Sequence, residues 1–169
     1  MKTNEIHPFG PIYDENSRVL ILGSFPSVKS RNEKFFYAHP QNRFWKVMKA
    51  VTGYNGDISE IEGKTAMLLE NHIALWDTIA ACEIEGSSDL SIRNVKVNDL
   101  SVILSRADIK AVYCNGKTSY ELYRKYLEKD TGISAATLPS TSPANASWTL
   151  EKLTGKWKEE LSSYIMKSV

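Results

Sequence analysis

The feature that most constrains this chain is a short apolar run that stops abruptly. Arg18-Val19-Leu20-Ile21-Leu22 leads straight into Gly23-Ser24-Phe25-Pro26-Ser27. A β-branched, aliphatic run of this length bounded by Gly, Ser and Pro reads as a central strand ending in a tight turn. In an α/β sheet the crevice beyond such a strand end is where ligands bind. Three further runs repeat the pattern: Ile73-Ala74-Leu75-Trp76 stops at Asp77-Thr78, Ile109 to Cys114 stops at Asn115-Gly116, and Ile133 to Leu138 leads into Pro139-Ser140.

The segments between these runs have helical spacing. Phe44, Val47, Met48 and Val51 recur with a 3.6-residue period that Gly53 ends. Ser59 and Glu62 have capping-box spacing for a helix carrying Ile61, Met67, Leu68 and Leu69. Asn98 is the expected opening of a helix with Leu100, Val102, Ile103 and Leu104, and Asn115-Gly116 turns into one carrying Tyr120, Tyr123, Tyr126 and Leu127. A last helix, Thr149 to Met166, puts Leu150, Leu153, Trp157, Leu161, Tyr164 and Ile165 on one face. Strands alternating with helices predict a three-layer α/β/α domain around a small, mainly parallel four-stranded sheet. The opening Ile6 to Tyr13 is expected to run extended over the surface, and the polar stretch Ala80 to Asn94 gives no assignable element.

A chain of 169 residues is the size of one domain, spanning 1–169. No stretch approaches the roughly 20 apolar residues of a membrane span, and Met1 to Asn16 lacks the apolar centre of a signal peptide. A prokaryotic cytoplasmic protein without membrane association is expected. The two cysteines, Cys82 and Cys114, are too few for a disulfide framework or a four-thiolate iron–sulfur cluster, and no metal or other cofactor is expected. The net charge is only +1, yet Lys29 to Lys49 carries six Lys/Arg against one Glu, interleaved with Phe35, Phe36, Tyr37, Phe44 and Trp45. Alternating cations and aromatic faces is the pattern of a nucleic-acid surface.

Three motifs then combine: Gly23-Ser24-Phe25-Pro26-Ser27, His39-Pro40-Gln41-Asn42-Arg43-Phe44-Trp45 and Leu138-Pro139-Ser140-Thr141-Ser142-Pro143. In that order, and across nearly the whole chain, they resemble the uracil-DNA glycosylase superfamily, most of all its hypoxanthine-DNA (deoxyinosine) glycosylase branch. The resemblance implies a monofunctional repair enzyme, a DNA-deoxyinosine glycosylase. It would hydrolyse the N-glycosidic bond of a deaminated base, hypoxanthine foremost, flipped out of double-stranded DNA. It would act as a monomer, associated with the nucleoid when at work. Two departures accompany the resemblance. Phe25 stands where relatives that excise uracil efficiently place Asp or Asn, and Ser140 stands where several relatives have His or Asn. Two other readings stay open: a uracil- or mismatch-directed glycosylase, and a non-catalytic nucleic-acid-binding relative.

The resemblance also distributes roles. Asn42 is the catalytic candidate, its carbonyl orienting water while its amide stabilises charge on the departing base; by position alone it reads first as a helix N-cap, and the resemblance reverses that preference. Base binding falls to the turn Gly23, Ser24, Phe25, Pro26 and Ser27, to Phe36 or Tyr37 as stacking ring, and to Asp77. An ionised Asp77 only accepts hydrogen bonds, so it would favour the N1–H of hypoxanthine over the bare N1 of adenine; its alternative role is to tether a loop. Lys29, Arg31, Lys34 and Arg43, with Ser140, Thr141, Ser142 and Pro143, are the expected DNA contacts. Asn115 reads as a turn residue and His7 as structural.

Overall fold

The computed structural model describes residues 1–165. In chain order it contains β1 (Thr3–Ile6), β2 (Val19–Gly23), α1 (Val28–Glu33), α2 (Phe44–Thr52), α3 (Ile61–Glu70), β3 (Ile73–Asp77) and β4 (Ile79–Ile84). A single 3-10 turn, Asp89–Ser91, precedes β5 (Arg93–Val97), α4 (Ser101–Leu104), β6 (Ala111–Asn115), α5 (Lys117–Tyr126), α6 (Glu128–Thr131), β7 (Ala135–Leu138) and α7 (Leu150–Leu161). The four anticipated strands pair in parallel in the order β3-β2-β6-β7. Val19 to Leu22 have no exposed surface although their side chains alternate between the two faces of the pleat, so helices cover the sheet on both sides.

Parallel register brings the strand ends to one level. Gly23 pairs with Asp77, Leu22 with Cys114, and Asn115 with Leu138. The loops that follow these strands therefore open onto a common edge, where the topology requires a ligand crevice.

A second sheet was not foreseen. β1, β4 and β5 form a three-stranded antiparallel sheet in the order β1-β4-β5. It takes in Thr3 to Ile6 and the two ends of the stretch that resisted assignment, while Ile12 bridges Leu75 of the parallel sheet; register shifts between Ile79 and Glu83 disturb the alternation that would have marked it. Asn98 does not open a helix: it is buried and donates to the carbonyls of Asp77 (2.9 Å) and Ile79 (3.2 Å), holding the bend where β3 passes into β4. The capping box is likewise absent, since Glu60 is the N-cap of α3 and the Ser59 hydroxyl is bound to Asp57. Thr149 does cap α7, accepting from the Lys152 amide at 3.2 Å; that helix ends at Leu161, and Met166 lies outside the described residues.

Candidate active site

At the carboxyl edge of the parallel sheet lies a crevice of about 900 Å³. The first motif forms its back, residues 137–148 one wall, and residues 87–90 the opposite wall. Gly23 is obligatory on the floor, because a β-carbon there would stand 2.4 Å from Asp77 Oδ1 and 2.9 Å from the Tyr37 hydroxyl. Ser27 caps α1 through the Ser30 amide, and Pro26 is buried with its carbonyl held by Arg31. Phe25 is also buried, packing with Ile79, Cys82, Ile84 and Ile92 against the small sheet.

Asn42 lies one residue before the N-cap of α2, which is Arg43. Its Oδ1 accepts from the Phe44 amide and from the Thr141 hydroxyl, both at 2.9 Å. A carbonyl oxygen has two lone pairs, and both are taken. The oxygen thus has no capacity left to orient water, and the side chain offers the crevice its NH₂ group. Anchoring of α2 and of the 141 loop thus uses one end of the carboxamide and leaves the other end free.

The three adjacent aromatics separate clearly. Phe35 stacks on Trp45 and Phe36 packs edge-on to Phe9; Phe36 is 2% exposed, which removes it from the stacking candidates. Tyr37, at φ 50°, turns the chain and lays one ring face on Phe44 at 4.2 Å. Its hydroxyl accepts from Asn115 Nδ2 at 3.1 Å.

Two expected DNA contacts are instead structural straps. The Arg43 guanidinium binds the carbonyls of Thr141, Ser142, Asn145 and Trp148, so four of its five N–H donors are turned into the 141–148 loop. Arg31 binds the carbonyls of Pro26 and Gly86 and approaches Glu5 at 3.8 Å, joining the first motif to the small sheet. Thr141 is fully buried and cannot meet a phosphate. Ser140 Oγ accepts the Ser142 amide and Ser142 Oγ the Ala144 amide, a compact turn that leaves Pro143 at the crevice. Lys29 and Lys34 are exposed, Lys29 within 3.6 Å of Glu33.

Three residues matter more than sequence reasoning allowed. His7 Nε2 lies 2.7 Å from Asp77 Oδ2 with both side chains buried, so Asp77 is tethered and still lines the crevice. Asn115 links Tyr37 to Thr141 rather than merely ending a strand. Asp89, on the opposite wall, accepts from the Ser24 hydroxyl at 3.0 and 3.1 Å. Its carboxyl is pushed up by desolvation, with Asp77 adding repulsion and the Ser24 bond opposing both. A spacing signal exists for none of the three, because their partners lie far away in the chain. The thiols of Cys82 and Cys114 are each pushed up to about 11, by desolvation first, and act as core side chains.

Residues of all three motifs line the crevice at the strand ends. The family model of the Uracil DNA glycosylase superfamily matches residues 11–165, and the chain belongs to that family. Two curated relatives are each named hypoxanthine DNA glycosylase. The one from Methanosarcina barkeri is 35% identical and the one from Methanosarcina acetivorans 36% identical, each over 138 residues covering 81% of this chain and 86% of the relative. The fold also matches the solution NMR structure of a Methanosarcina acetivorans protein given as a candidate uracil DNA glycosylase. The TM-score is 0.74 at 31% identity, over 89% of this chain and 95% of that one.

Proposed function

We propose that this chain is a monofunctional DNA glycosylase that removes hypoxanthine from DNA by hydrolysing its N-glycosidic bond. The observation that carries the reading is the Asn42 carboxamide, locked by its oxygen and presenting only hydrogen-bond donors to a crevice large enough for a flipped nucleotide. As the glycosidic bond breaks, electrons collect on the departing base, and a fixed N–H donor stabilises that charge without transferring a proton. Donors already held in place lose little on reaction, since their orientation was set when the protein folded. The two relatives named hypoxanthine DNA glycosylase support the choice of base. The exposed Lys29, Lys34 and Lys46 leave the basic segment positively charged for the duplex backbone.

The test is single-turnover release of free base from duplexes containing deoxyinosine, deoxyuridine or deoxyxanthosine. Fastest release from the deoxyinosine duplex is expected. Release from deoxyuridine alone would make it a uracil-directed enzyme, and DNA binding without release would make it a non-catalytic relative.

A further inference from the structure

The hydrogen-bond polarity of the crevice floor can be assigned atom by atom, because backbone amides only donate. The Thr141 amide lies 3.1 Å from one terminal atom of Asn115, which must be its oxygen. The other terminal atom is the NH₂, which donates to Thr141 Oγ1 at 3.0 Å and to the Tyr37 hydroxyl at 3.1 Å. The Thr141 hydroxyl in turn donates its hydrogen bond to Asn42 Oδ1. The Tyr37 hydroxyl accepts a hydrogen bond from Asn115 and keeps its own O–H to donate, with no protein acceptor among the described residues. Burial, reinforced by the charge of Asp77, pushes its pKa up, so that proton stays in place.

Asp77 has the opposite polarity. The Phe9 amide donates to His7 Nδ1 at 3.4 Å, so the ring proton sits on Nε2 and is directed at Asp77 Oδ2. Oδ1 is left as an acceptor without a protein partner among the described residues. Oδ1 and the Tyr37 hydroxyl meet over Gly23, whose missing side chain leaves room for both, and all three residues line the crevice.

We propose that the Tyr37 hydroxyl and Asp77 Oδ1 form a donor–acceptor pair that reads a lactam edge, a ring N–H beside a C=O, on the flipped base. The proposal rests on the glycosylase reading of the crevice. Hypoxanthine offers O6 to the hydroxyl and N1–H to the carboxylate. Adenine offers an amine and a bare nitrogen, so donor would face donor and acceptor face acceptor. Deamination is the change that converts the second edge into the first, so the pair detects the lesion itself. Guanine and thymine carry lactam edges too, and their exclusion falls to the 2-amino and 5-methyl groups and to their stable pairing in the duplex. Tyr37 is on this reading a specificity residue that acts through its hydroxyl, and Asn115 and His7 are positioning residues that fix the two polarities.

The test uses uncleavable duplexes carrying a 2′-fluoroarabino nucleotide with either hypoxanthine or unsubstituted purine, which lacks both the carbonyl and the N1–H. The ratio of the two affinities isolates the edge. Tyr37→Phe keeps the ring and should lower the ratio roughly tenfold, the worth of a hydrogen bond in a closed site. Asn115→Asp turns the donor into an acceptor for the Tyr37 O–H; it should lower the ratio as far with the phenol intact. In both variants the loss on the hypoxanthine duplex should exceed any loss on the purine duplex. A wild-type ratio of one, an unchanged ratio in Tyr37→Phe, or equal losses on both duplexes would overturn the proposal. Failure of the glycosylase reading would appear separately, as no base release by the wild type from a cleavable deoxyinosine duplex.

Discussion

The two walls of the crevice are built on different principles. One is bonded throughout: Asn42, Thr141, Asn115 and Tyr37 form a continuous hydrogen-bonded chain, and Arg43 straps the backbone of the 141–148 loop from behind. The other, residues 87–90, is exposed and joined to residues 24–28 by the Ser24–Asp89 and Ser87–Val28 bonds, with Leu90 left 89% exposed at the rim. Chemistry requires donors fixed to within a fraction of an ångström, whereas admitting a duplex requires a surface that can adjust. The bonded wall suits the first task and the open wall the second.

Substitutions should therefore be severe on the bonded wall and mild on the open one. The largest effect is expected at Asn42. Asn42→Asp keeps an oxygen for the Phe44 amide and the Thr141 hydroxyl but replaces the NH₂ with a second acceptor. Single-turnover excision should fall about 100- to 1000-fold, the scale of losing one fixed donor, with DNA binding and melting temperature preserved. Near-normal rates would reduce Asn42 to an anchor for α2.

Next comes the strap. Arg43→Ala removes the partner of four carbonyls and should cost about 2–3 kcal/mol, seen as a fall of about 5–10 °C in melting temperature. Arg43→Lys should rescue little, because an ammonium group cannot reach four acceptors laid out for a planar guanidinium. A stable alanine variant would show that the loop holds its shape unaided.

Smaller effects belong to the rim. Lys29, Lys34 and Lys46 are exposed, and replacing all three with Ala should lower the slope of log affinity against log salt by about one for each phosphate no longer neutralised. Melting temperature should not move. An unchanged slope would place the DNA grip elsewhere.

The smallest effect is expected on the open wall, at Asp89. Its folded-state pKa is raised, so the folded chain holds the proton more tightly than the unfolded one. That contribution is present below the ordinary aspartate range and is lost as pH rises through the raised value. Asp89→Asn should match the wild type in acid and melt slightly higher at neutral pH, by about one degree given the solvent exposure of the residue. A lower melting temperature at neutral pH would mean that the Ser24 bond outweighs the cost of the charge.

The contrast between the walls also explains what could be read in the sequence. The parallel sheet was legible because strands buried on both faces are continuous apolar runs such as Val19 to Leu22. The antiparallel sheet was not, because β5 is Arg-Asn-Val-Lys-Val, largely solvent-facing, and β4 is irregular in register. Asn42, Tyr37 and Asp77 were found from motifs, yet the direction of the Asn42 carboxamide depends on Thr141, 99 residues away. Arg31 and Arg43 misled for a related reason: a guanidinium that binds phosphate and one that binds carbonyls look alike until the carbonyls are located. His7 and Asn115 showed no sign of these roles, since His7 acquires its meaning from Asp77, 70 residues distant, and Asn115 from Tyr37 and Thr141, 78 and 26 residues distant.

The Arg43 strap has a temporal consequence. It closes a loop of about a hundred residues, its partners lying 98 to 105 positions further along the chain. Contacts of such separation carry a high closure entropy and form after local ones. A chain emerging from the ribosome can assemble β2, α2 and β3 long before Thr141 to Trp148 exist, but the bonded wall cannot close until they do. The wall that holds Asn42 is thus completed late as the molecule is made, long after the basic segment from Lys29 to Lys49 has emerged.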